Sequence, residues 1–189
     1  GARLAAAARE GRFAAHQGNY AHIDRIPALA DVRVDGILVD LGISSHQIDA
    51  TGRGFSFREG APLDMRMGDD AEADAATLLN EADVHELARI FRDYGDERQG
   101  MRLAREVARR RATRPFAIAE DLVGAIRAVL GPRAGAGDFA RLFQAVRIAV
   151  NDELSGLAGA LPALRDRLRP GGLLAVIAYH SGEDRLVKN

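Results

Sequence analysis

The chain has 189 residues, no cysteine, and 26 basic against 27 acidic side chains, for a net charge of −1. That length supports one sizeable core or a domain with a smaller insert, while the lack of cysteine excludes disulfides, thiolate zinc sites and a cysteine nucleophile. The balanced charge argues against a general polycation, no window reaches the ~18 unbroken apolar residues of a membrane span, and no basic-then-apolar leader opens the sequence, so a cytoplasmic protein without membrane contact is the expectation.

Only Lys188 among the basic residues is lysine. A GC-rich coding bias explains this, and the alanine excess with it. The consequence holds either way, because the guanidinium fork grips phosphate bidentately where an ammonium cannot.

Residues 1–10 read as the end of an alanine-rich helix, and 11–16 (GRFAAH) as a short strand followed by a Gln17–Tyr20 turn. A helical stretch with Pro27 leads to a β-branched, apolar strand over 32–40 that ends on Asp40. Residues 41–60 form a polar loop, long enough to be functional. From 71 to 130 the strand signal vanishes. Val84, Leu87, Ala88, Phe91, Leu103, Val107, Leu122, Ile126 and Val129 recur at helical spacing, and Thr113–Pro115 divides the region. Asp69–Asp70 read as an acidic pair at a helix start.

Gly131–Gly137 is a flexible return. Residues 139–168 read as helix, interrupted at Asn151–Glu153 and stopped by Arg169-Pro-Gly-Gly. Residues 173–179 (LLAVIAY) then form a strand of the fully buried type. Helices alternating with strands predict a parallel, doubly wound α/β sheet. In such sheets ligands sit beyond the carboxyl ends of the strands. Two polar clusters follow such ends, 40–47 and 180–185.

Four stretches carry a resemblance. Val34–Ser45 (VDGILVDLGISS) is similar to a DGIL-DLG-SS motif. Gly54–Phe57 with Pro62–Met67 (GFSF, PLDMRM) is similar to RGFSF…GPLDMRM. Phe143–Leu154 (FQAVRIAVNDEL) and His180–Arg185 (HSGEDR) complete the set. In this order the motifs resemble the bacterial MraW family, the ribosomal RNA small-subunit methyltransferases H. The resemblance implies an S-adenosylmethionine-dependent transfer of methyl to the N4 amine of a cytidine in the decoding region of 16S rRNA, and a small ribosomal subunit as partner. It leaves monomer and homodimer open.

The resemblance also implies the fold: a Rossmann-like class I methyltransferase sheet (residues 1–68 and 138–189) interrupted by an all-helical insert for RNA recognition (69–137). The family's glycine-rich GAGGH-type loop and its following acidic residue are not in these 189 residues. The family also continues beyond the last motif, so the chain is expected to be a piece of a longer protein, incomplete at both ends. The family's P-A-T-R-T-F is here Asp138–Phe143, where Arg141 and Phe143 match, and its FHSLED reads Tyr179–Asp184.

The resemblance places Tyr20, Asp40 and Gln47 at the cofactor. Read alone, Asp40 serves equally as a loop cap, Gln47 as a loop residue and Tyr20 as a core aromatic. Ser44, Ser45, Asp64, His180 and Ser181 are candidates for holding the cytidine. Asp64 could accept from the amine, as carboxylates do for cytosine N4, or pair with Arg66 or Arg53. His180 could take a proton near neutral pH or be a structural histidine. Cytosine N4 is a poor nucleophile that must be aligned with the sulfonium methyl. Methylation at C5 would call for a cysteine, so its absence favours N4 independently of the resemblance.

Arg98, Arg102, Arg105 and Arg109 recur at four, three and four residues, which sets them on one helix face. From Arg89 to Arg114 nine arginines stand against four acids. A solvated face with intrahelical pairs accounts for this; the resemblance turns it into an RNA-phosphate surface, with Arg141 as a further substrate contact. Glu183, Asp184 and Arg185 read as an ion-pair cluster, and no metal site is expected. A non-catalytic RNA- or ribosome-binding module is the alternative function. A dinucleotide-dependent oxidoreductase has only the α/β pattern behind it.

Overall fold

The computed structural model describes residues 8–44, 51–68 and 71–188. Its elements are β1 (Val34–Asp40), α1 (Ala75–Glu81), α2 (Val84–Arg89), α3 (Gly100–Arg111), α4 (Ala119–Leu130), α5 (Ala136–Asn151), α6 (Glu153–Arg165), β2 (Leu168–Ile177) and α7 (Ser181–Lys188). Short 3₁₀ turns at Tyr20–Arg25, Pro27–Leu29 and Thr51–Arg53, and a π turn at Ile90–Tyr94, fill the links. The chain is therefore an α/β protein with a small parallel sheet. It divides into two compact units. One takes the described residues up to Leu41 and those from Ser155 on; the other is Gly42–Leu154.

In the first unit β1 and β2 pair in parallel, with Gly36 opposite Leu173, Leu38 opposite Ala175 and Asp40 opposite Ile177. The pairing slips between Val34 and Gly36, because Pro170 lacks an amide for the ladder and Gly171 has a φ of 83°. This bulge lets β2 begin at Leu168, and the preceding helix ends at Arg165, three residues short of the expected boundary. The expected strand over 11–16 does not form. That stretch is irregular and exposed, and even Phe13, 40% exposed, buries too little to offset the cost of ordering a strand.

The fully buried character expected for 173–179 is not realised either. Period-2 alternation puts Leu38 and Asp40 on one sheet face with Leu173, Ile177 and Tyr179. Leu38 and Leu173 are 68% and 71% exposed there. Among the described residues the sheet has two strands, so each is an edge.

The second unit holds the apolar core. Leu87, Phe91, Leu103, Val107, Leu122 and Ile126 are all at most 1% exposed, as their spacing predicts. Burying each such side chain contributes about 1.5–3 kcal/mol. The core also takes in Leu63 and Met65 from the loop before α1, and Leu142, Phe143 and Val146 from α5. Hence the compact unit extends well beyond the 69–137 stretch that the helical pattern alone delimits.

Local capping sets the helix limits. Asp74 and Asp83 accept the amides of Thr77 and of His85 and Glu86 to open α1 and α2. Asp138 accepts the Gly135 amide, so α5 begins at Ala136, ahead of the expected Phe139. Asp152 in the left-handed region, φ 48°, breaks the helix between α5 and α6, where the polar triplet predicts an interruption.

Candidate functional site

The parallel pairing brings the carboxyl ends of the two strands side by side. Asp40 closes β1 and Tyr179–His180 follow β2, with the Leu41 amide donating to the Ile177 carbonyl at 3.1 Å. The Tyr179 hydroxyl donates to Asp40 Oδ1 at 2.9 Å. That bond, and the carboxylate's negative charge, push the phenol pKa up. Asp40 is exposed, and among the described residues its Oδ2 has no hydrogen-bond partner. Sequence reasoning passed over Tyr179, for an aromatic closing an apolar run reads as core.

His180 is held at the start of α7. Its Nδ1 accepts from the amides of Gly182 and Glu183 at 3.2 and 3.4 Å, so it caps α7. Its Nε2 is buried, 3.2 Å from Glu183 Oε1 but poorly aligned for a hydrogen bond. Glu183, only 3% exposed, also accepts the Tyr179 amide at 2.8 Å. Burial raises its pKa, but the His180 ring and the backbone amides of Tyr179 and His180 outweigh this and hold it below the usual range. The expected cluster with Asp184 and Arg185 thus resolves differently: Glu183 faces His180, and Asp184 takes Lys188 at 2.7 Å. Ser181 is the exposed first residue of α7. Tyr20, in the same unit, is 36% exposed at the start of its 3₁₀ turn. Gln47 and Ser45 lie outside the described residues, as do Asp69 and Asp70.

In the second unit Ser44 is exposed, and Asp64 sits in a tightly held loop. Arg66 donates through Nε and Nη2 to its two oxygens at 2.7 and 3.0 Å. The Arg66 hydrogen bond dominates in lowering the Asp64 pKa, against a smaller opposing effect of burial. Arg53 goes elsewhere, to the carbonyls of Arg66 and Met67, both at 2.9 Å. Asn151 clasps the same loop from α5: its Oδ1 accepts the Met67 amide at 2.7 Å, and its Nδ2 donates to the Met65 carbonyl at 2.8 Å. Met65 has φ 61° with its side chain 1% exposed, a strained conformation that the clasp holds. No sequence signal reveals this role of Asn151, which acts across more than eighty residues.

The arginines divide by use. Arg98 precedes α3 and so leaves the expected helix face; Arg102, Arg105 and Arg109 lie on it, exposed. Arg102 donates to Gln99 at 3.0 Å, and Arg109 pairs bidentately with Glu106 at 2.7 and 2.8 Å. Arg141, expected at the substrate, is engaged within the protein: by Glu97 at 2.8 Å, by Asp138 at 3.4 Å and by the Gly95 carbonyl. Among the described residues no group of three potential ligands could hold a metal, and no helix is long and apolar enough to cross a membrane.

Parallel strands with a carboxylate at the carboxyl end of one define an α/β protein, and in that class ligands sit beyond such strand ends. The chain belongs to the MraW methylase family, whose model matches residues 2–189. It is 65% identical over 187 residues to the ribosomal RNA small subunit methyltransferase H of Gemmatimonas aurantiaca, covering 99% of this chain and 59% of that protein. It is 48% identical over 198 residues to the protein of that name from Heliobacterium modesticaldum, covering all of this chain and 63% of that one. The chain thus spans about three fifths of the length of these curated relatives.

Proposed function

We propose that this chain is part of an S-adenosylmethionine-dependent methyltransferase acting on the N4 amine of a cytidine in 16S rRNA, with the small ribosomal subunit as its partner. The observation that carries the reading is Asp40 at the carboxyl end of a parallel strand, within a family whose relatives are named for rRNA methylation. The sheet unit is the Rossmann-like, cofactor-binding part; the helical unit carries RNA recognition.

The donor chemistry fits the cofactor. Asp40 keeps one oxygen free to accept from a hydroxyl or ammonium group, Tyr179 fixes its other oxygen, and Tyr20 presents an aromatic face suited to an adenine. When bound, the cofactor supplies an electrophilic methyl group. Asp64, kept ionised by Arg66, accepts one N4–H and so orients the amine. Its low proton affinity suits it to orienting the amine more than to removing the proton. His180, whose Nδ1 is already accepting two amides, supports the Tyr179–Asp40 contact by fixing the start of α7. Ser44 and Ser181, and Ser45 and Gln47, complete the substrate and cofactor sets; Arg98, Arg102, Arg105 and Arg109 meet RNA phosphates.

The test is titration of S-adenosylmethionine into the chain, together with tritiated-methyl transfer to 16S rRNA and nucleoside mass spectrometry. Binding tighter than about a millimolar, lost in Asp40→Ala, and label in N4-methylcytidine support the enzyme. RNA binding without methyl transfer or cofactor heat favours the non-catalytic module.

A further inference from the structure

The turn between α3 and α4 borders an open cavity of about 320 Å³ lined by Arg109, Arg110, Thr113, Arg114, Phe116 and Asp121. We propose that this cavity is a phosphodiester subsite for single-stranded RNA, in which Arg109, Arg110 and Arg114 clamp one nucleotide unit. The proposal rests on the rRNA reading above and deepens it.

Its frame is rigid. The Phe116 backbone is tied both ways to the Asn80 side chain, at 2.8 and 2.9 Å. Asp121 accepts the amides of Ala117 and Ile118 at 3.0 and 3.1 Å, which caps α4. The arginines keep donors in reserve. A guanidinium has five N–H groups. Arg110 uses only Nε on Glu106, and Arg109 uses Nε and Nη2 on the same carboxylate. Arg114, 72% exposed, lies 3.6 Å from Asp121, too far for a hydrogen bond. Arg111, the next in the run, turns away to the carbonyls of Leu79 and Ala82, so the clamp is selected by the fold and not by the run of arginines. Three cations against Glu106 and Asp121 leave one positive charge, and guanidinium forks match phosphate oxygens bidentately. The volume lies at the low end of the about 300–1,000 Å³ typical of small-ligand sites, which suits one nucleotide and not a folded partner.

The experiment follows fluorescence anisotropy of a labelled single-stranded oligoribonucleotide on the chain across a salt series. The variants are Arg110→Ala/Arg114→Ala, Arg114→Ala alone, and Arg133→Ala/Arg165→Ala, which removes two exposed charges elsewhere; melting curves verify the fold. The proposal expects about a tenfold loss of affinity in the pocket pair and a salt slope lower by about 1. A smaller loss is expected for Arg114→Ala, with little change in the control pair. Equal losses in both pairs, or none in the pocket variants, overturn the subsite and leave the rRNA reading standing. A wild-type chain that ignores RNA overturns the rRNA reading itself, and the subsite with it.

Discussion

Asn151 at the end of α5 and Met67 in the loop before α1 are joined by a 2.7 Å hydrogen bond, and the same side chain reaches Met65 on the other side of Arg66. Asn151→Ala leaves the Met67 amide and the Met65 carbonyl unpaired in a part-buried setting. The expected cost is about 1–3 kcal/mol, read from urea unfolding. Asn151→Asp keeps the acceptor and loses the donor, and is expected to fall between the two. An unchanged midpoint in Asn151→Ala would mean that the loop holds its strained turn without help.

Arg147 and Glu153 form a bidentate pair with each side chain 10% exposed, bridging the break at Asp152. Removing one partner strands a buried charge, so Arg147→Met is expected to cost about 3–5 kcal/mol, while Arg147→Met/Glu153→Leu recovers most of it. A double-mutant cycle on thermal melts checks this. Additive losses would rule out a coupled pair.

Tyr179 titrates above its ordinary value of 10.0 because Asp40 accepts its proton in a hydrogen bond and adds negative charge beside it. Asp40→Asn is therefore expected to move that tyrosine's absorbance titration down toward the ordinary value. Tyr179→Phe should weaken cofactor binding modestly by freeing the Asp40 carboxylate.

His180→Asn retains a side chain that can cap a helix, whereas His180→Ala does not. A capping role predicts a loss of about 1 kcal/mol for alanine and much less for asparagine, with methyl transfer in the asparagine variant close to wild type. Loss of transfer in both variants at unchanged stability would instead assign His180 a direct part in proton movement.

Glu106 is held at about 2, against an ordinary 4.5, first by its hydrogen bond from Arg109 and then by Arg110, with burial opposing both. A depressed carboxyl stabilises the fold above its unfolded value and loses that contribution as pH falls through the folded one. The stability lost by the wild type between about pH 5 and 2 should thus be larger than that lost by Glu106→Gln. Arg109 is 69% exposed, so added salt should shrink the difference.

Periodicity and local chemistry determined much of this protein. Leu87, Phe91, Leu103, Val107, Leu122 and Ile126 are core because a 3.6-residue repeat allows no other packing. The breaks at Thr113–Pro115 and at Asn151–Glu153 follow from proline and from polar residues inside an apolar stripe. The strand ending at Asp40 was legible from its β-branched run, and the family was legible because its motifs are long and ordered. Tertiary structure decided which of its possible partners each of several polar groups takes. Asp64 chose Arg66 over Arg53, Arg141 turned to Glu97 and the Gly95 carbonyl, Arg111 left the arginine surface, and Tyr179 found Asp40. The physical reason is range. Helical and strand periodicity act between residues a few positions apart, whereas a hydrogen bond needs two groups within about 3 Å, and only the folded chain brings residues 40 and 179, or 67 and 151, to that distance.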